Sequence, residues 1–144
     1  MEVTTMQTKI ADVMSPVPVT LPLTAPMRSA ASLMRDSNIG AVLVMDGDEL
    51  LGIVTDRDLV VRGMAEGADP DIASIAEVTT ASPITLAPDD DPAEAAALMR
   101  KHGIRRVPVV DRGTAVGIVS LGDLAKDRDD SSVLAAISAQ PPTL

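Results

Sequence analysis

The chain of 144 residues contains no cysteine and no phenylalanine, tyrosine or tryptophan. Without cysteine it has neither a disulfide framework nor thiolate chemistry, and a reducing, cytoplasmic setting is expected. Without aromatic rings it lacks the stacking platforms typical of proteins that bind single-stranded nucleic acids. A single histidine leaves little material for a transition-metal site, so we expect no metal.

Charge and hydropathy exclude two further classes of partner. The net charge of −9 disfavours binding to nucleic acid or to an anionic membrane. No apolar run approaches the roughly 20 residues that a membrane span needs. The first 14 residues, MEVTTMQTKIADVM, lack the basic and apolar regions of a signal peptide. The apolar content of 46% and the charged content of 23% predict a globular rather than a disordered protein.

One stretch of the sequence occurs twice. GIVTDRDL at 52–59 recurs 65 residues later as GIVSLGDL at 117–124. The offset extends to IADV and IAEV, PVTL and PITL, and AASLMR and AAALMR, so that residues 10–59 align with 75–124 without a gap. Such self-similarity at a fixed period indicates an internal duplication.

Each copy predicts the same order of elements. A lead-in turn precedes a short strand, a helix with apolar residues at helical spacing, a two-stranded hairpin and a last helix. In the second copy, Asp91 is the predicted N-cap, Pro92 the first helical residue, Glu94 the capping-box acid and Gly103 the stop. The order β-α-β-β-α predicts an α/β (α+β) fold.

The duplication also predicts the domain organisation. A unit of about 50 residues buries too little surface to be stable alone, so we expect two units packed by a pseudo-two-fold axis. The predicted boundaries are 8–66 for the first unit, 67–74 for a linker and 75–127 for the second unit. Residues 128–144 form a C-terminal tail, in which the apolar stretch 132–138 predicts a short helix that packs on a second subunit.

The Ser/Thr-x-x-Asp motif at the end of each copy has two interpretations. As a capping box, Thr55 with Asp58 and Ser120 with Asp123 only terminate their own helices. Alternatively, the helix start favours an anion, and the carboxylate accepts hydrogen bonds from ligand hydroxyls. The two roles are compatible, because the hydroxyl residue can cap while the acid faces a cleft.

Two basic residues of the second copy also have two interpretations. Arg105 and Arg106 either lie at a solvated strand edge or neutralise a ligand phosphate. His102 is expected to be a cation at a helix C-terminus or a surface residue rather than a ligand. Val107, Pro108 and Ile118 are expected to line a cleft whose apolar wall would take the flat face of a ligand ring.

Taken together, these motifs resemble a family. Two copies that each end in Gly-aliphatic-aliphatic-Ser/Thr-x-x-Asp, with RRVPVVD in the second, resemble a pair of cystathionine β-synthase (CBS) domains, the Bateman module. The resemblance covers about residues 8–127 and extends to the stand-alone two-CBS proteins of bacteria, including the hypoxic-response type. It implies a regulatory, non-catalytic homodimer that binds adenosine-containing ligands (AMP, ADP, ATP, S-adenosylmethionine or NAD) and signals to an unidentified protein.

The resemblance also implies roles for individual residues. Asp58 and Asp123 hold ribose hydroxyls, Thr55 and Ser120 contact ribose or phosphate, and Arg105 and Arg106 meet phosphates. The first copy departs from this pattern, because Gly40 and Ala41 occupy the positions of the two arginines. It lacks a phosphate cation unless Arg57 or Arg62 supplies one.

Two alternatives to a ligand sensor remain at the level of sequence. In the first, the chain is a protein-interaction module that binds no nucleotide, and its Ser/Thr-x-x-Asp motifs only cap helices. In the second, it is an enzyme. Enzymatic function is the weakest of the three, because no second acid is positioned for acid–base chemistry.

Overall fold

The computed structural model describes residues 8–16 and 19–128, which fold into two similar units. The α-helices are α1 (Ile10–Val13), α2 (Met27–Ser37), α3 (Pro92–His102) and α4 (Leu121–Arg128). The strands are β1 (Ser15–Pro16), β2 (Thr20–Leu21), β3 (Ala41–Asp46), β4 (Glu49–Thr55), β5 (Thr80–Ala81), β6 (Arg106–Asp111) and β7 (Thr114–Ser120). The predicted mixed fold, with a helix before and after each hairpin, is confirmed.

Each unit is built on an antiparallel hairpin. β3 pairs with β4 in the first unit and β6 with β7 in the second, and equivalent residues are paired in the two hairpins. One face of each hairpin packs on the helices of its own unit, as period-2 alternation requires. Val42, Val44 and Val54 form the core of the first unit with Met27 and Met34 of α2.

The lead-in segments are exchanged between the units. β1, which precedes the first unit, pairs antiparallel with β7, and β5 pairs antiparallel with β4. The apolar residues beside these strands follow them. Ile10 of α1 lies in the core of the second unit, and Ile75 and Val78 lie in the core of the first. The two units therefore complete each other's sheets and cores.

The second faces of the two hairpins pack on each other. Ala41, Leu43 and Ile53 of the first unit form a buried cluster with Ala115 and Ile118 of the second. Apolar contact on this face explains why the duplicated unit occurs as a pair, since one copy alone would expose it to water.

The helix ends follow their sequence signals in the second unit. The Asp91 carboxylate accepts a hydrogen bond of 2.9 Å from the Ala93 amide, and α3 ends at Gly103 in the left-handed region. In the first unit, the helical segment after Thr55 is a π-helix over Asp58–Gly63, followed by a 3₁₀ turn over Met64–Glu66. The corresponding segment of the second unit is the α-helix α4.

The linker between the repeats is tied to the start of α2. The amides of Met27 and Arg28 donate to the carbonyls of Ala73 and Pro70, each at 2.9 Å. The Arg28 guanidinium forms a two-point ion pair with Asp71, in which Nη2 lies 3.1 Å from Oδ2. The helix expected at 132–138 lies outside the described residues.

Candidate ligand site between the two units

Both Ser/Thr-x-x-Asp motifs form reciprocal capping boxes. The Thr55 amide donates to Asp58 Oδ2 at 2.9 Å, and the Asp58 amide donates to Thr55 Oγ1 at 3.1 Å. Ser120 and Asp123 repeat the arrangement with the same two distances. Each box fixes an acid at the first turn of its helical segment and satisfies two amides there.

The second carboxylate oxygen distinguishes the two boxes. Asp58 Oδ1 lies 3.6 Å from Nη1 of Arg62, which also donates to the Val78 carbonyl at 3.1 Å. In the second copy an acid, Asp127, occupies the position of Arg62 in the sequence. The cap at Asp123 uses Oδ2 alone, so that binding a ligand through Oδ1 does not require the cap to break.

Arg106 lies beside Ser120 on the face turned toward the first unit. Arg106 is directly paired with Ser120 in the β6–β7 ladder, and Pro108 is paired with Ile118. Side chains of directly paired residues lie on the same sheet face. Because Ile118 packs on the first unit, Arg106 and the Ser120 hydroxyl lie on that face as well.

Arg105 is directed elsewhere. It lines an open groove of about 580 Å³ between α3 and α4, together with Arg100, Ile104, Leu121 and other residues of the second unit. The walls of this groove contain no other residue of the predicted ligand site. The structure therefore separates the two adjacent arginines and leaves Arg106 alone beside the Ser120–Asp123 box.

Arg106 crosses to the first unit. Its Nη1 lies 4.0 Å from Oδ1 of Asp56, and its guanidinium covers Gly40. A Cβ at Gly40 would lie closer than 3.0 Å to the guanidinium, a contact that real Cβ atoms essentially never make. Neither Gly40 nor Asp56 was predicted as a site residue from the sequence. The available signal was that Gly40 occupies the position of Arg105 in the duplication.

The expected apolar wall of the cleft needs correction. Val107 faces the core of the second unit, on the side of β6 opposite to Arg106, and none of its surface is exposed. Pro108 lies on the same face as Arg106 but is also fully buried. Neither residue has free surface for an adenine ring. The core of the second unit covers Val107, and the packing of the two units covers Pro108.

The remaining candidates lie in different places. Arg57 is exposed, and its amide donates to the Asp56 carboxylate at 2.8 Å. His102 is the last residue of α3 and is exposed. Among the residues that the structure describes, no group of three or more His, Cys, Asp or Glu side chains is arranged to hold a metal. No helix in this part is long and apolar enough to cross a membrane.

The chain is similar to proteins of one family. Residues 10–63 and 75–130 each match the family model described as CBS domain. The chain is 34% identical over 114 residues to hypoxic response protein 1 of Mycobacterium tuberculosis, covering 78% of this chain and 80% of that protein.

Two solved structures with bound adenosine-containing ligands are also similar. One is the CBS domain protein PAE2072 from Pyrobaculum aerophilum complexed with AMP, with a TM-score of 0.76, 28% identity and coverage of 84% of this chain and 93% of that one. The other is the CBS domain pair of protein MJ0100 in complex with 5′-methylthioadenosine and S-adenosyl-L-methionine. Its TM-score is 0.77 and its identity 30%, and the match covers 83% of this chain and 94% of that one.

Proposed function

Since the chain belongs to the CBS domain family, we propose that it is a regulatory, non-catalytic module that senses an adenosine-containing ligand between its two units. The ligand class comprises AMP, ADP, ATP, S-adenosylmethionine and NAD, and no obligatory cofactor is needed. The complexes of similar proteins with AMP and with S-adenosyl-L-methionine support this class. We further propose that the module acts in the cytoplasm as a homodimer and signals to a separate protein.

The observation that carries this proposal is the geometry of Asp123. Its cap uses Oδ2, so Oδ1 is available to accept hydrogen bonds from vicinal ribose hydroxyls. Bonds of this kind to a carboxylate are charge-assisted and about twice as strong as neutral ones. Ser120 adds a hydroxyl at the start of α4, and Arg106 adds a cation on the same face of the sheet. We therefore propose the second unit as the principal binding half.

The same comparison makes the first unit the weaker half. Arg62 lies close to Asp58 Oδ1, so a ribose would have to compete with an existing ionic contact. The first unit also has Gly40 and Ala41 where the second has two arginines. A ligand bound at Thr55 and Asp58 would depend on Arg57 for a cation from the same unit.

A second candidate function follows from the capping boxes themselves. Both motifs are closed on their own helix starts with matching distances, as they would be in a module that binds only protein. In that case the motif has a purely local role, and the two units serve as a surface for a partner. The following experiment separates the two functions.

Thermal unfolding followed by far-UV circular dichroism tests the proposal, with AMP, ADP, ATP, S-adenosylmethionine and NAD as ligands. A ligand at 100 times its dissociation constant stabilises the native state by about 2.7 kcal/mol. We expect one ligand to raise Tm in the wild type and to lose this effect in Asp123→Asn. Asparagine keeps a side-chain oxygen for the cap, so the loss would not come from unfolding.

Asp111→Asn is the matched control, because Asp111 is an exposed acid at the opposite end of β6. This variant should respond to the ligand like the wild type. If no ligand shifts Tm in any variant, the interaction module becomes the better description. If the ligand is chemically altered after incubation with the wild type but not with Asp123→Asn, the non-catalytic part of the proposal fails.

A further inference from the structure

Gly40 and Asp56 together hold the guanidinium of Arg106, and we call this pair the Gly40–Asp56 seat. Asp56 Oδ1 lies 4.0 Å from Arg106 Nη1, and Gly40 provides the side-chain-free backbone that the guanidinium covers. Gly40 and Asp56 also contact each other, since the Asp56 amide donates to the Gly40 carbonyl at 3.0 Å. Gly40 and Asp56 belong to the first unit, and Arg106 belongs to the second.

Of the two charged partners, Asp56 is the fixed one. Its Oδ1 accepts a hydrogen bond of 2.8 Å from the Arg57 amide, which anchors the carboxylate to the start of the helical segment. Arg106 is attached by a long, flexible side chain. The side chain of Asp56 is 62% exposed and that of Arg106 is 32% exposed. An ion pair this long and this exposed contributes little to stability, so an anion can detach Arg106 at small cost.

The seat has no counterpart related by the pseudo-two-fold axis. The positions equivalent to Gly40 and Asp56 in the second copy are Arg105 and Leu121, and the position equivalent to Arg106 in the first copy is Ala41. The contact between Arg106 and Gly40–Asp56 therefore occurs on one side of the pseudo-two-fold axis, and the other side has Ala41 at the position of the arginine. This asymmetry places the Arg106 cation next to Ser120, at the half with the available Asp123 oxygen.

Resting on the function proposed above, we propose that a phosphate-bearing ligand draws Arg106 off the Gly40–Asp56 seat, so that Asp56 sets the affinity of the site for anions. Before a ligand binds, the Asp56 carboxylate holds Arg106, so that Asp56 competes with an incoming phosphate for this guanidinium. In the occupied site, the Arg106 contact between the units is broken. A ligand with a phosphate thus breaks the Arg106 contact between the units, and a ligand without one leaves it in place. Such a difference in affinity for two states of the contact is what a ligand-induced shift in their populations requires.

Isothermal titration of the full chain with inorganic pyrophosphate at low ionic strength tests this inference without an adenosine group. We expect Asp56→Asn to tighten pyrophosphate binding by about three- to five-fold, since five-fold corresponds to one charge interaction in water near 4 Å. Asp48→Asn removes the same charge at the turn between β3 and β4, the opposite end of the same hairpin. Since about six residues of extended strand separate that turn from the site, roughly 20 Å, its charge interacts far more weakly with the ligand than a charge at 4 Å does. Asp48→Asn should therefore change affinity less than about two-fold.

The Arg106→Gln background separates the seat from simple charge repulsion. If Asp56 acts through Arg106, the gain from Asp56→Asn should fall in this background to the level of the Asp48→Asn control. An undiminished gain would mean that Asp56 repels the ligand directly, and the seat would be overturned. Equal affinities of Asp56→Asn and Asp48→Asn for pyrophosphate, or no pyrophosphate binding by Asp56→Asn, would overturn it as well.

The experiments distinguish a failure of the Gly40–Asp56 inference from a failure of the proposed ligand-sensing function. If AMP binds to the wild type in the same titration and Asp56→Asn does not alter its affinity, the sensor stands and the seat fails. If pyrophosphate discriminates between the variants as expected but no adenosine ligand binds, the seat stands and the proposed ligand class fails.

Discussion

Gly117 of β7 lies directly against Ser15, whose carbonyl oxygen is 2.8 Å from the position that a Cβ on Gly117 would take. Gly52 of β4 lies in the same way against the backbone of Thr80. These two glycines begin the duplicated GIV motif, and each faces the lead-in strand that arrives from the other unit. Glycine within a strand marks a close approach of another backbone, and here it admits the exchanged strands.

Substitution of Gly117 or Gly52 by alanine should therefore destabilise the whole chain. At Gly117 the added methyl group meets the Met14 side chain and also the Ser15 carbonyl, and at Gly52 it meets the Thr79 side chain and also the Thr80 carbonyl. Because the backbone atoms cannot move aside as a side chain can, overpacking of this kind costs about 1–3 kcal/mol. Urea unfolding followed by far-UV circular dichroism measures the change. Thr114→Ala, at the exposed start of β7, is the control and should remain within about 0.5 kcal/mol of the wild type. A cost at Gly117 no larger than that at Thr114 would contradict the close approach.

Gly40→Ala tests the Arg106 contact without removing a charge. Its Cβ would meet the end of a flexible side chain, so the chain should fold and the guanidinium should leave Asp56. We expect pyrophosphate to bind more tightly than to the wild type, in the same direction as for Asp56→Asn. Titration calorimetry measures both affinities under the same conditions. Weaker binding to Gly40→Ala would show that Arg106 contacts anions only while it covers Gly40.

We expect the capping box of Ser120 and Asp123 to stabilise the fold even when no ligand is bound. Ser120→Ala removes the hydroxyl that accepts from the Asp123 amide, and loss of such a cap costs about 1 kcal/mol. Thr55→Ala should cost a similar amount, since the first box has the same geometry. Ser120→Thr keeps the acceptor and serves as the matched control. Equilibrium unfolding with no adenosine ligand present measures these costs, and a neutral Ser120→Ala would remove the structural role of the motif.

We expect the ion pair between Asp71 and Arg28 to make the stability of the chain depend on pH. The Arg28 guanidinium, through its hydrogen bond and charge, holds the pKa of the Asp71 carboxyl below its usual range. An acid whose pKa is lower in the folded state contributes stability above its unfolded pKa, and this contribution is lost as the pH falls through the folded value. Wild type should thus be more stable than Asp71→Asn near neutral pH, and the difference should vanish in strong acid.

Thermal unfolding of both proteins from neutral to acidic pH measures this difference. Both side chains are exposed to solvent, so added salt should reduce the difference at neutral pH. Asp48→Asn controls for the removal of one negative charge from an exposed position of the chain. A difference between wild type and Asp71→Asn that stays constant with pH would mean that the ion pair does not tie the linker to α2.

Much of the fold was predictable because the duplication reports the same elements twice. The hairpins, the helix between strands, the Asp91 cap and the Gly103 stop follow from local patterns that need no knowledge of distant contacts. The exchange of β1 and β5 was not predictable in this way. A two-residue strand has no periodicity, and its partner lies in the other unit. The glycines of the GIV motif were the available local signal.

The candidate site was predictable only in part. The pairing of Ser120 with Asp123 follows from spacing, and the structure shows it as a capping box. The separation of Arg105 from Arg106 follows from strand alternation, which also directs Val107 to the core. The contact of Arg106 with Asp56 required the packing of the two units, which no local pattern specifies. Ligand binding by these residues stays a prediction.

Leu43 offers the most direct test of the packing between the units. Its side chain is 1% exposed and lies in the buried cluster that joins β3 and β4 to β7. Leu43→Ala should destabilise the chain by about 2–5 kcal/mol, because it removes buried apolar surface and leaves a cavity between the units. Ile72→Ala, at a site that is 81% exposed, should be nearly neutral. Urea unfolding measures both, and equal midpoints would mean that Leu43 is not buried between the units in solution.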